Sequence, residues 1–429
     1  MILNKKYFLA FTVLFAITCN AMAQSTINSP YSKFGVGNLK GSYLPQQRAL
    51  GNLGYGISTV GAYQNLNISN PASYSNLRLT VFDIGVTAYT QTLNKGSLSQ
   101  KSFNGSLSHL AIAVPVSKKS ALSFGLLPYS NLGYEFKNSN TKVDTFSVDQ
   151  IYKGEGGLTR AYLGYGFGLG KNFSLGVNMS YIFGNLKEIQ SAEFPKYVGF
   201  LNSKTENNNS IGGLNFDFGA QYVAILNKNT KLTIGYTGGV KTRLETSYSQ
   251  LITSYIVRDE AEIRVDSTSF VDEVEGSLTL PANHNFGFSI ERQNKWLIGA
   301  DLRLANWSDF DKTGSTDNLN DSWGFSVGGQ ITPNVNAVTN YLKLIDYRAG
   351  FSYDKSYVTI GSQDIDVKAI NFGLGFPLIS GRNAFYKINF ATEIGSRGTL
   401  TNNLIKENFI NFHLGFTIND RWFQKYKYD

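Results

Sequence analysis

The chain has 429 residues, with 30 phenylalanines, 25 tyrosines, 43 glycines and only 9 prolines. Its formal charge of +8 is spread along the sequence and forms no basic stripe interleaved with stacking aromatics, which excludes nucleic acid as a natural partner. A single cysteine, Cys19, excludes an internal disulfide framework, and no apolar run beyond residue 23 reaches the roughly 18 residues of a membrane-spanning helix.

Residues 1–23 read as a secretory signal: Lys5 and Lys6 precede an apolar stretch over residues 7–18, and Ala21-Met22-Ala23 offers a small-residue cleavage site. Residues 24–77 carry no strand pattern. Gly35, Gly37, Gly51, Gly54 and Gly56, with Pro30, Pro45 and Pro71, mark a series of turns. Leu50, Leu53, Tyr55, Ile57 and Tyr63 supply more apolar surface than a solvated tail carries, so the segment is expected to pack as a plug in the periplasmic mouth of a barrel formed by residues 78–419.

Those later residues have a period of two. Phe173, Leu175, Val177, Met179, Tyr181 and Phe183 alternate with Ser174, Gly176, Asn178, Ser180 and Ile182, and Ile410, Phe412, Leu414, Phe416 and Ile418 alternate with Asn411, His413, Gly415, Thr417 and Asn419. One face is apolar and the other small or polar, over about the 10 residues a tilted strand needs to cross hydrocarbon. The fold class predicted is all-β: a single transmembrane antiparallel barrel of about fourteen strands, an even number as bacterial barrels have. The clearest strands fall at residues 158–169, 173–183, 214–223, 232–241, 286–291, 296–304, 323–331, 347–353, 370–376, 386–394 and 410–419, with less regular ones near 79–89, 107–116 and 121–134. Short links at 117–119, 170–172, 227–230, 292–294 and 380–383 alternate with long polar ones at 90–104, 137–156, 187–210, 247–277 and 308–322. Short turns facing the periplasm and long loops facing outward would leave both termini in the periplasm, with residues 420–429 as a tail. The link 333–342 breaks the rule, being long for a periplasmic turn.

Arg48-Ala49-Leu50-Gly51, the Asn70-Pro71-Ala72 element ahead of the first strand, and the closing Asn419-Asp420-Arg421-Trp422-Phe423 resemble the FadL/TodX family of outer-membrane transporters for long-chain fatty acids and aromatic hydrocarbons, in its Bacteroidota branch. The resemblance implies a fourteen-stranded barrel in the cell outer membrane, surrounded by lipid. It implies an N-terminal plug in which Arg48, Gly51, Asn70, Pro71 and Ala72 form the motif, and a long-chain apolar ligand passing through the wall or past the plug. That branch also includes non-transporting accessory barrels of secretion or barrel-assembly complexes, so the resemblance leaves two functions open.

Charges on the polar strand faces bear on that choice. Arg160, Asp217, Lys241, Glu291, Asp301, Arg303, Asp346, Arg348, Lys387 and Glu393 stand opposite the lipid-facing residues, since burying a basic group in lipid at midplane costs about 2–4 kcal/mol. Their mixed signs predict internal ion pairs rather than a selectivity ring of one sign. Leu158, Tyr162 and Leu297 interrupt this polar face, either as an apolar site or as packing against the plug. Catalysis and cofactors find little support: Ser326 in Gly324-Phe325-Ser326-Val327-Gly328 sits mid-strand, away from the strand-to-helix turn a nucleophile elbow needs. His109, His284 and His413 lack metal spacing and are expected in the lumen wall or mouth, and the stretch 317–321 lacks the glycine and distal glutamate of a calcium loop. The stretch 258–275 holds seven acids against Arg258 and Arg264, either as a solvated loop or as a docking surface for partner proteins.

Overall fold

Alternation of apolar and polar residues becomes, in the computed structural model, a wall of strands with lipid-type side chains outside and polar ones inside. Residues 29–58, 64–143, 146–197, 199–259, 261–314, 317–378 and 384–422 are described; the predicted signal, Tyr63, Glu260, the turn 380–383 and residues 423–429 lie outside them. The strands are β1 Thr80–Lys95, β2 Leu98–Ser117, β3 Ser120–Val143, β4 Phe146–Leu169, β5 Phe173–Glu193, β6 Asn202–Asn227, β7 in two halves (Thr230–Gly239 and Thr242–Arg258), β8 in two halves (Ala261–Leu280 and Asn283–Arg292), β9 Trp296–Ala305, β10 Ser322–Ile331, β11 Asp346–Ile360, β12 Gln363–Leu378, β13 Ala384–Arg397 and β14 Lys406–Asp420. Each pairs antiparallel with its sequence neighbour, and β14 pairs with β1 from Asp420↔Thr80 to Lys406↔Asn94, closing a fourteen-stranded barrel. Closure satisfies the backbone groups along the β1–β14 seam, as hydrocarbon requires.

The faces follow the pleat. Phe216 and Phe412 are 42% and 40% exposed on the outside, whereas Asn215 is buried and Asn411 donates its side-chain N–H to Glu393 Oε2 at 3.0 Å. Cross-strand aromatic pairs such as Tyr386 with Phe416 and Phe390 with Phe412 stack along the outer surface, giving sheet pairing a packing contribution beyond the ladder.

Four of the five long links expected as loops are instead continuations of the strands. The ladder carries on through Thr90↔Phe103, Ile151↔Ser191 and Thr205↔Ile252, so these segments rise as hairpins above the wall. Water on both faces removes the apolar–polar alternation while leaving pairing intact, which is why the pattern faded before the strand ended. Residues 308–322 stay largely irregular, apart from a two-residue strand at Asp311–Lys312. The link 333–342 leads into a single 3-10 turn, Tyr341–Lys343, and presents Val338 (96% exposed) and Leu342 (62%) at the short-turn end.

The segment before β1 crosses the lumen from end to end. At the hairpin end, Ser29 N–H donates to Gly133 O at 2.7 Å and its hydroxyl to Glu407 Oε1 at 2.5 Å. At the short-turn end the chain leaves past Arg78 into β1. The expectation of a plug confined to one mouth is thus corrected: the segment runs the length of the lumen, and the first described residues stand level with the hairpin rim. Three buried clusters space the lumen, and each joins this segment to the wall.

Candidate functional site

Seating of the segment depends on wall glycines that face inward. A Cβ on Gly328 would lie 2.1 Å from Leu50 O, and one on Gly350 2.2 Å from Leu50 C. On Gly235 it would lie 1.8 Å from Tyr55 O, on Gly219 2.2 Å from Asn70 Oδ1 and on Gly176 2.3 Å from Pro71 C. Side chains at these positions would hold the segment off the wall; glycine lets wall backbone meet segment backbone or, at Gly219, the Asn70 side chain.

The predicted motif residues shape the chain along this belt. Arg48 ends a single helical turn, α1 (Pro45–Arg48), and its Nη2 donates to Lys40 O at 2.7 Å. Gly51 turns the chain out of α1 at φ +76°, where a side chain is strained. Asn70 accepts from Ala72 N–H at 3.1 Å and donates to Tyr55 O at 2.8 Å, capping the 3-10 turn Pro71–Asn76 and tying it to the preceding loop. Asp301 accepts from the Gly54 and Tyr55 N–H groups at 2.6 and 3.0 Å, so a wall carboxylate fixes the segment's backbone. Asn67 and Gln221 were missed by sequence reading. Asn67 donates to Gly54 O and Ile57 O, and Gln221 to Tyr55 O and Ile57 O, but nothing in an isolated amide's sequence neighbourhood distinguishes it from a turn or strand residue.

Most of the named charges meet in pairs. Arg160 reaches Asp217 at 3.3 Å and also donates to Ser42 of the segment. Asp346 lies between Arg348, at 2.8 Å, and Lys387, and accepts from Thr332 at 2.6 Å. Arg303 bridges Asp354 at 2.8 Å and the Ser326 hydroxyl at 2.7 Å, which places Ser326 in a polar wall network. Glu291 meets Lys231 at 3.1 Å. Lys241 departs from expectation: it falls in the break between the halves of β7, half exposed, and pairs with Asp309 at 3.3 Å. Strand interruption there removes the inward–outward alternation on which its lumen assignment rested.

Leu158, Tyr162 and Leu297 are all covered. Leu297 packs with Leu50, Leu53 and Ile57; Tyr162 with Leu44, Leu66 and Tyr74; and Leu158 shares a cluster with Tyr31 and Val36. Buried His109 pairs with Asp83 at 2.6 Å, and His413 accompanies Glu393 at 3.7 Å. His284 corrects its lumen-wall or mouth assignment, since it lies on the outward face against Tyr236, whose hydroxyl is 2.8 Å from Nδ1. In the 317–321 stretch, Asp317 accepts from Gly35 N–H at 3.0 Å, and hydrogen bonds from Ser308 hold the Asp321 carboxyl below the usual range.

The lumen and the wall are not filled throughout. A cavity of about 400 Å³ lies between the segment and the hairpin end, and its lining includes Lys40, Arg48, Arg303, Arg397, Glu393 and Glu407. The same lining carries aromatic rings, Tyr43, Tyr55, Tyr89 and Trp323 among them, so charges of both signs stand beside apolar surface. In the wall, among the described residues, β2 and β3 pair from Leu110↔Leu126 to Ser117↔Ser120 and no further. Toward the hairpin end, residues 98–109 pair with β1 alone, while Asn38–Leu39 of the segment adds to β3 at Ser130 and Asn131.

The BamG family model matches residues 1–429. The chain belongs to the BamG family. No curated protein sequence matches it. Among solved structures, the chain is similar to a FadL homologue of Pseudomonas aeruginosa at a TM-score of 0.59 and 13% identity, covering 90% of this chain and 100% of that one. The toluene transporter TodX of Pseudomonas putida gives 0.57 at 17% identity, and the toluene transporter TbuX of Ralstonia pickettii 0.57 at 15%, each again covering 90% of this chain and 100% of the other. At such identities the likeness establishes the fold alone: this BamG-family chain has a FadL-like β-barrel fold.

Proposed function

We propose that the protein is a non-transporting accessory subunit of the outer-membrane β-barrel assembly complex, the role to which the BamG family name points. The observation that carries this reading is the occupied lumen. The segment packs against the wall along the glycine belt, covers each apolar lumen candidate, and leaves a cavity whose lining carries charges of both signs. A gate for apolar solutes needs an accessible apolar path; a rigid barrel offering hairpins outside and exposed apolar residues such as Val338 and Leu342 at its other end suits binding of partners. In this reading the signal delivers the chain to the outer membrane, and the hairpins face outward.

The unpaired stretch between β2 and β3 favours a second reading, passage of a long-chain apolar ligand sideways through the wall. One experiment separates the two. The tagged chain is extracted in mild detergent and divided between identification of bound subunits and lipid extraction. A stoichiometric complex with assembly-complex subunits and no retained apolar ligand supports the accessory role. A solitary barrel that retains a long-chain ligand refutes it.

A further inference from the structure

The ladder that closes the wall does not continue to the top of β8. Its first half pairs with β7 from Ala261↔Arg258 to Leu280↔Thr242. On its other edge, among the described residues, only Leu278 and Thr279 find a strand partner, in Lys312 and Asp311. The neighbouring β9 stops at Ala305, so β8 outgrows it. Residues 261–275 are exposed at every position. At about 3.3 Å per residue they offer roughly 50 Å of edge whose backbone N–H and C=O groups turn to water.

Such an edge is an open template for another strand. Two features narrow what it will accept. Register shifts at 264/266, 267/269 and 271/274 break its flatness, which opposes indiscriminate pairing. Residues 258–275 also hold seven acids against two arginines, so a second copy of this chain would bring like charge to like. Exposed Ile263, Val265, Phe270 and Val274 alternate with or flank these acids and would cover apolar side chains of an added strand.

We infer that residues 261–275 form a β-augmentation site for a basic, extended segment of a partner protein, one that alternates Lys or Arg with apolar residues. Main-chain hydrogen bonds would supply affinity, and the acids would select the partner and set its register. The inference rests on the accessory reading and names the surface that reading requires.

Amide hydrogen exchange of the full chain, purified in mild detergent with its bound subunits and again after salt has stripped them, reads the edge directly. Residues 261–275 are expected to exchange at least tenfold more slowly in the complex. Two double variants are compared with the wild type. Ser267→Pro with Ser269→Pro breaks the edge backbone, Ser267 N–H itself being held by Asp266 Oδ1 at 2.7 Å, and Asp272→Lys with Glu275→Lys reverses charge while keeping every amide. Each is expected to weaken retention of the protected partner at least tenfold while the barrel stays heat-modifiable on gels. Should the proline pair unfold the hairpin, the lysine pair decides alone. Equal exchange rates bound and free, with an undisturbed complex in the lysine variant, would overturn this interface and leave the accessory role standing. A wild-type chain that purifies alone would overturn both.

Discussion

Substituting alanine at both Gly328 and Gly350 tests whether the segment is seated by the glycine belt. Each new Cβ would fall about 1.3 Å inside the roughly 3.4 Å of an ordinary contact, since Leu50 O stands 2.1 Å from one site and Leu50 C 2.2 Å from the other. The obstacle is backbone on both sides, so no rotamer change relieves it. Overpacking costs typically about 1–3 kcal/mol per site, and lifting Leu50 also loosens its cluster with Leu53, Ile57 and Leu297. The double variant is therefore expected to free residues 45–57 at a cost of about 2–6 kcal/mol. Amide exchange over that stretch should quicken, and single-channel conductance in planar bilayers should rise. Gly105→Ala serves as control, because a Cβ there meets nothing closer than 3.9 Å. A double variant matching the wild type and this control in both exchange and conductance would refute backbone-on-backbone seating.

Cysteines introduced at Phe216 and Phe412 should react with a membrane-confined thiol reagent, and cysteines at Asn215 and Asn411 should not; identical labelling of the two sets would contradict the assigned faces. Asp301→Ala leaves the Gly54 and Tyr55 N–H groups without their acceptor, for a loss of about 1–3 kcal/mol per orphaned donor, read as protease sensitivity of residues 50–58 in a barrel that still shifts on gels. Asp346→Ala strands two buried cations, Arg348 and Lys387, and should cost about 3–5 kcal/mol, lowering the temperature of the gel-mobility transition; the triple change Asp346→Ala, Arg348→Met, Lys387→Met should recover most of that loss. Deleting residues 24–62 should leave a folded barrel of much larger conductance, and unchanged conductance would mean that the hairpins rather than the segment close the pore.

Wall strands were legible because two solvents act on them at once. Ile410 to Asn419 alternates in sequence because lipid selects one face and the lumen the other. Where a strand leaves the membrane, that selection stops: Thr205 and Ile252 are paired in the hairpin as firmly as wall residues, yet no periodicity marked their stretch as strand. The candidate site was legible in part. Asp301 and Arg160 stood out as charges on a membrane strand, but their engagement of Gly54, Tyr55 and Ser42 depends on contacts across more than a hundred residues. Gly235 and Gly328 carried no such mark, since an inward glycine in a strand reads as a weak strand residue until the backbone opposite it is known.

Ser29 bonds both to Gly133, in β3, and to Glu407, 378 residues away, and Gly54 to Asp301, 247 away, so the segment's set of partners is complete only when early and late strands are both in place. The β1–β14 seam joins the residues just after the segment to the end of the sheet. A segment flush with the wall has no clearance to slide into a finished cylinder. The wall is therefore expected to wrap around its own leading segment, a long-range ordering of the kind that slows folding. Supplying residues 24–77 afterwards as a separate peptide should fail to rebuild the native lumen, because the time for entry has passed once the seam is shut.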